Sequence, residues 1–186
     1  DRSHDCDLLL DQNLSEDTGS RYDGLVSSNC RSFLGTRYAL LRPEFFETRK
    51  VLRKRDGNVR RILIFFGGVD PTGETTKAIQ ALCLLDMPDV IVDVIVGVSN
   101  PHIEQVRQFC SHYANMTFHS NTNNIASLMA SADLAIGAGG TSAWERCFLG
   151  LPTITIVIAL NQMDTTVALA KAGAILNLGW HYDVTK

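Results

Sequence analysis

The sequence predicts an α/β protein whose framework is a Rossmann-like, doubly wound parallel sheet of about six strands. Three observations lead there. From Arg60 onward, short apolar runs alternate with segments of helical periodicity, which is a β-α repeat. The runs are continuously apolar, as in Ile154-Thr155-Ile156-Val157-Ile158, and that suits strands covered by helices on both faces. Polar residues and prolines that start helices fall where the repeat needs them.

Residues 62–66 (ILIFF) read as the first strand, and 72–85 as a helix with Asp70 as N-cap and Pro71 in its first turn. Residues 90–96 form the second strand and 101–112 the next helix, where Asn100-Pro101 repeats the same start. The third pair is 116–119 and 125–130, with Asn124 ahead of the helix. The fourth is 134–136 and 142–149, and Thr141 or Ser142 is placed to cap that helix. The fifth is 153–158 and 162–172, preceded by Asn161, and a last strand spans 174–178. Before Arg60 the chain is irregular, with Asp-rich pieces around short apolar runs such as Leu8-Leu9-Leu10.

With 186 residues and 45% hydrophobic content, the chain buries a core without a metal or disulfide staple. A net charge of -3 with scattered basic residues offers no electrostatic footprint for nucleic acid or an acidic membrane, and neither partner is expected. Cys6, Cys30, Cys83, Cys110 and Cys147 are odd in number and never in a C-x-x-C pair. They fit reduced buried thiols, with the cytoplasm as the expected compartment. No apolar run approaches the ~20 residues that span a bilayer, so no membrane insertion is expected. The chain opens on charged residues where a secretory signal carries an apolar core, and the Asn-x-Ser/Thr matches at Asn13 and Asn115 therefore carry no weight.

Ligands of such a sheet bind beyond the carboxyl ends of the strands. Gly67 and Gly68 follow the first strand, Gly97 and Ser99 the second, and His119 to Asn124 the third. Gly137 to Thr141 follow the fourth, and Asn161-Gln162 the fifth. In DLAIGAGGTSAWERCFLGLP (133–152) a buried strand runs through Gly137, Gly139 and Gly140 straight into a helix, whose first amides favour a phosphate. Two stricter motifs fail. GVDPTGET (68–75) has P-loop glycine spacing, but Glu74 stands where a lysine must reach the phosphates. Gly137-Ala138-Gly139-Gly140-Thr141-Ser142 lies on the fourth strand and lacks a ribose-binding acid about 20 residues on. His4, His102, His112, His119 and His181 show no metal-ligand spacing, and no G-x-S-x-G elbow is present. Neither a metal nor a cofactor is expected.

FFGGVDPTGETTKA (65–78), NIASLMASADLAIGAGGTSAWERCFLGLPTI (124–154) and the Asn161-Gln162 pair resemble the C-terminal half of the UDP-sugar hydrolase of pseudaminic acid biosynthesis. More distantly they resemble the UDP-GlcNAc transferase of peptidoglycan lipid II synthesis, which shares the GT-B fold. HDCDLLLDQN (4–13) looks like the end of that family's N-terminal domain and YALLRPEF (38–45) like the passage into the second. The resemblance implies that residues 1–50 are the tail of an N-terminal domain plus linker. It implies that 51–186 are a UDP-binding Rossmann-like C-terminal domain lacking its final helices. The chain then packs against its own N-terminal domain, which supplies the catalytic histidine, so no catalytic residue is assigned here.

The resemblance also implies roles for particular residues. Glu145 holds the ribose hydroxyls, where a carboxylate accepts two hydrogen bonds from a diol. The plain alternative is a capping box in which Glu145 serves only the Ser142 amide. Gly139, Gly140, Thr141 and Ser142 line the diphosphate, the plain alternative being that the glycines only permit the turn, and Gly67 and Gly68 are also expected to bind substrate. Asn124 and Ile125 meet the uracil edge through backbone groups, Arg42 approaches the diphosphate, and Asn161 and Gln162 face the sugar. For Asn124 and Asn161 the alternative is a helix N-cap, and for Arg42 a solvated linker side chain. Trp144, Phe148 and Leu149 are core. The implied reaction is hydrolysis of a UDP-linked 2,4-diacetamido-trideoxy sugar. Glycosyl transfer from a UDP-sugar and a non-catalytic nucleotide-sugar-binding module remain the alternatives.

Overall fold

The structure is a computed structural model that describes residues 2–15, 17 and 19–185; the outermost residues of the two expected regions, Asp1 and Lys186, lie outside it. Its described residues contain a six-stranded parallel sheet: β3 (Arg61–Phe65), β4 (Ile91–Val96), β5 (Met116–Ser120), β6 (Leu134–Ala138), β7 (Thr153–Val157) and β8 (Leu176–Trp180), in the order β5-β4-β3-β6-β7-β8. The expected doubly wound sheet is therefore present. Helices α2 (Glu74–Leu85), α3 (Ile103–Ser111), α4 (Ile125–Ser131), α5 (Ser142–Phe148) and α6 (Met163–Lys171) follow β3 to β7 in turn.

The alternation along β3 divides the core. Ile62 and Ile64 pack under α2 and α3 with Ile79, Leu82, Val94 and Val106. Leu63 points to the opposite face and packs with Ala126, Met129 and Leu149 of the α4–α5 side. Trp144 and Leu149 are buried as expected, whereas Phe148 is half-buried and meets Phe46 edge-on with ring centroids 5.0 Å apart.

The region before Arg60 is more regular than its sequence suggests. β1 (Leu8–Asp11) and β2 (Arg31–Leu34) form a separate two-stranded parallel sheet. α1 (Pro43–Lys50) starts with proline in its first turn and buries Phe45 completely in the core shared with α4 and α5. The next stretch is fixed by Arg55. Its guanidinium donates to the carbonyls of Met129 (3.1 Å), Ala132 (2.8 Å), Leu149 and Gly150 (both 3.0 Å), which satisfies the carboxyl ends of α4 and α5 together.

Helices α2, α3 and α6 start later than expected. Asp70 accepts from the amides of Glu74 (3.0 Å) and Thr75 (2.9 Å), so α2 begins at Glu74 and Pro71 lies outside it. Asn100 accepts from the His102 amide at 2.7 Å, and α3 begins at Ile103. Neither Asn124 nor Asn161 caps its helix through its side chain: Asn124 donates its amide to Thr122 Oγ1 at 3.1 Å, and α6 begins two residues after Asn161. β8 starts at Leu176, so the last strand also lies two residues beyond the expected 174.

Candidate functional site

The chain leaves β3 to build β4 and β5 on one side, then returns to lay β6 on the other. Connections therefore diverge between β3 and β6, and a parallel sheet opens a crevice at that point beyond its carboxyl ends. Phe65 and Gly137 stand in register there. Two glycine turns leave the crevice, Gly67-Gly68 after β3 and Gly139-Gly140 after β6.

On the β3 side, Phe65, Gly68, Ile95, Gly97, Thr122 and Ile125 line a cavity of about 290 Å³. Gly97 is required by packing, because a Cβ there would collide with the backbone of Gly68. Gly68 is exposed, and a Cβ on it would meet nothing within 4 Å. Apolar walls with a few polar groups at the rim suit a flat heterocycle.

On the β6 side, the turn is packed against α6. A Cβ on Gly139 would strike Thr166 Oγ1, whereas one on Gly140 would sit 3.6 Å from Gln162 Nε2, an ordinary contact. Gln162 is held by its Oε1, which accepts from the Ile158 amide at 3.2 Å. Glu145, on the first turn of α5, faces Arg42 ahead of α1, whose Nη2 donates to Oε1 at 3.2 Å. Burial raises the Glu145 carboxyl above the ordinary carboxylate value, against the opposing pull of Arg42. The capping box is not formed: α5 carries no side-chain cap, and Ser142 Oγ instead accepts from Arg146 Nη1 at 2.9 Å.

The expected residues thus fall into three contacting sets. Arg42 joins Glu145, Gly139 and Gly140 meet Gln162, and Gly68 shares its cavity with Ile125. Gly67 turns at φ 91°, Thr141 is exposed at the crevice, and Ser142 is half-buried above Arg146. Asn124 and Asn161 are both exposed, and no side-chain bond ties either of them to the other sets.

Two features escaped the sequence. Arg146 is 1% exposed and donates to Ala138 O at 2.6 Å as well as to Ser142. An arginine beside Glu145 on a short helix reads as solvated, and the only signal was its spacing from Ser142. His119, grouped above with the carboxyl-end loops, turns back into the sheet and donates from Nε2 to the fully buried Asp93 at 2.8 Å. Asp93 also accepts from Arg61 Nε at 2.5 Å. The P-loop reading fails for a second reason, since Asp70 already fills the start of α2 with a carboxylate and Glu74 is buried against Lys77 at 3.0 Å.

A cavity of about 660 Å³ lies at the opposite end, where Leu134, Thr153 and Leu176 begin β6, β7 and β8. No charged side chain lines it. Among the described residues there is no cluster that could hold a metal ion, and no helix is long and apolar enough to cross a membrane.

Sheet order, helix placement and the crevice between β3 and β6 define the C-terminal half of a GT-B fold. The crystal structure of Acinetobacter baumannii MurG shares that fold over 92% of this chain and 52% of its own, with a TM-score of 0.59 and 18% identity. Residues 75–183 match the glycosyltransferase family 28 C-terminal domain, and the chain belongs to that family. It is 33% identical over 157 residues to the spore coat polysaccharide biosynthesis protein SpsG of Bacillus subtilis, covering 83% of this chain and 45% of the relative. It is 28% identical over 173 residues to the UDP-2,4-diacetamido-2,4,6-trideoxy-beta-L-altropyranose hydrolase of Campylobacter jejuni, covering 92% of this chain and 60% of the relative. The chain thus spans about half the length of these curated relatives.

Proposed function

We propose that this domain holds the uridine diphosphate of a UDP-sugar in the crevice between β3 and β6. The observation that carries the reading is that the two glycine turns leave neighbouring strands just beyond the paired Phe65 and Gly137, with an apolar cavity on the β3 side and the Arg42–Glu145 pair on the helix that follows β6. Uracil enters the cavity and meets backbone groups at Asn124 and Ile125, while Glu145 accepts from the ribose hydroxyls. The diphosphate lies along Gly139, Gly140, Thr141 and Ser142 with Gly67 and Gly68 opposite, Arg42 approaches it, and Asn161 and Gln162 face the sugar.

For the whole enzyme, the proposed reaction is hydrolysis of a UDP-linked diacetamido-trideoxy sugar, like that named for the Campylobacter relative. Water attacks the anomeric carbon, the bond to the diphosphate oxygen breaks, and UDP leaves. This chain's part is to fix UDP and stabilise the charge that develops on it. The base belongs to an N-terminal domain against which residues 51–186 pack, with 1–50 as tail and linker, and the compartment is the cytoplasm. Transfer of the sugar to an acceptor is the second reading, favoured by the family itself.

The deciding experiment follows UDP release by the full-length enzyme from a UDP-diacetamido sugar. Release without an acceptor, accompanied by free sugar, supports hydrolysis; release only when an acceptor is added supports transfer. The 186-residue chain alone is expected to release none.

A further inference from the structure

Arg146 sits beneath the glycine turn with no direct ion pair among the described residues. It is 1% exposed, and among the described residues no carboxylate lies within ion-pair distance of its guanidinium. Burial pushes that guanidinium down to about 10, outweighing the opposing pull of Cys147 and of the more distant Glu145 carboxylate. Its Nε has no partner, and neither do two other buried polar atoms near the turn, Thr155 Oγ1 and Thr166 Oγ1. Thr155 is in register with Gly137, and Thr166 abuts Gly139. A buried cation without a direct ion-pair partner is costly, and an apolar side chain would fill a purely structural position at less cost.

The two bonds that Arg146 does make bracket the turn, from Ala138 O at its start to Ser142 Oγ at its end. Arginine has donors only, so Ser142 Oγ must accept from it. A serine hydroxyl has one proton, and that proton is then left to donate to an acceptor on the other side.

We propose that Arg146 is a positioning residue for the ligand's phosphate groups: through Ser142 it aims a hydroxyl donor at a phosphate oxygen, and it sets a buried positive charge behind the turn on which the phosphates lie. The inference rests on the UDP reading. It makes affinity depend on the number of phosphates, with the uridine part unaffected, because the base cavity is built from β3, β4 and the start of α4.

The test is calorimetry of uridine, UMP and UDP against wild type, Arg146→Met, Arg146→Lys and Ser142→Ala, with thermal unfolding of each. Wild type gains affinity from uridine to UDP. In Arg146→Met that gain falls by about tenfold or more, with uridine binding unchanged. Arg146→Lys keeps the charge and recovers part of the gain. Ser142→Ala loses part of the gain in a background where the Arg146–Ala138 bond persists, so the proposal stays testable if Arg146→Met unfolds. A Ser142→Ala protein with the wild-type ratio of UDP to uridine affinity overturns the proposal, as does a folded Arg146→Met protein that loses uridine and UDP equally. Failure of wild type to bind UDP overturns the underlying UDP reading instead.

Discussion

Arg42 Nη2 donates to Glu145 Oε1 at 3.2 Å, joining the residue ahead of α1 to the first turn of α5 across 103 positions of sequence. Arg42 shares its guanidinium with Glu44, whose Oε1 lies 2.9 Å from Nη1. Glu145 is mostly buried and Arg42 largely exposed, so the pair is worth little as a stabilising ion pair. The carboxylate is instead kept desolvated beside an exposed counter-charge, an arrangement that suits an acceptor for a polar ligand.

Glu145→Gln separates ligand binding from structure. UDP affinity is expected to fall by about 1–3 kcal/mol, the cost of losing a charged acceptor. Unfolding temperature should hold or rise slightly, because a carboxylate kept charged in a buried setting disfavours folding. Calorimetry with UDP and 2′-deoxy-UDP checks this: wild type discriminates between them and the variant discriminates less. Equal UDP affinities in both proteins would reduce Glu145 to an ion-pair residue.

The raised Glu145 carboxyl also gives opposite pH trends for stability and binding. Its proton is held more tightly in the folded than in the unfolded protein, so its contribution to stability is present below the unfolded value and is lost as pH rises through the raised folded value. UDP affinity runs the other way and increases over the same interval, because the ribose hydroxyls need the ionised acceptor. Measuring both on the Gln variant removes the contribution of the phosphate's own titration. A wild-type profile identical to the variant's would exclude Glu145 as the titrating group.

Gly68→Ala is expected to leave thermal stability within about 0.5 kcal/mol of wild type, since the added methyl meets no neighbour and the position is exposed. The methyl projects from the wall of the base cavity, so UDP affinity should drop about tenfold. Gly97→Ala is the contrast: its methyl collides with the Gly68 backbone, so the fold itself should weaken. Unchanged UDP binding by Gly68→Ala would move the base out of this cavity.

Asp133 anchors the amino end of β6. It accepts from the amides of Arg60 and Arg61 at 2.9 Å each and pairs with Arg53. Burial raises its carboxyl, but these donors outweigh it and hold the group below the ordinary value. Asp133→Ala should cost on the order of 2–4 kcal/mol at neutral pH. The Asp133 contribution is present above the unfolded value and fades as pH falls through the depressed folded one, so the gap between wild type and variant should shrink in acid. A gap that stays constant would assign the effect to lost packing.

The strands were legible because continuous burial on both faces leaves an unbroken apolar run, as in β4, where five successive residues are buried. The crevice was legible as a cluster of glycines and polar residues at strand ends. Strand order was not, because it depends on pairing between segments distant in sequence, such as β3 with β6. α1 escaped because Phe45 is its only buried residue and a single buried position lends little periodicity. Arg146 and Asp93 escaped because only the tertiary fold buries them, and the His119 contact depends on that burial. The start of α2 was misplaced because Asp70 reaches the amides of Glu74 and Thr75, four and five residues on.

The most direct measurement is amide chemical-shift mapping of the protein titrated with UDP, AMP and NAD. UDP is expected to bind in preference to the other two and to move the signals of Gly68, Ile125, Gly140, Ser142 and Glu145, which surround the β3–β6 crevice. NAD competing as well as UDP, or shifts gathered instead around Leu151, Ile175 and Leu176 at the opposite end of the sheet, would contradict a UDP site there.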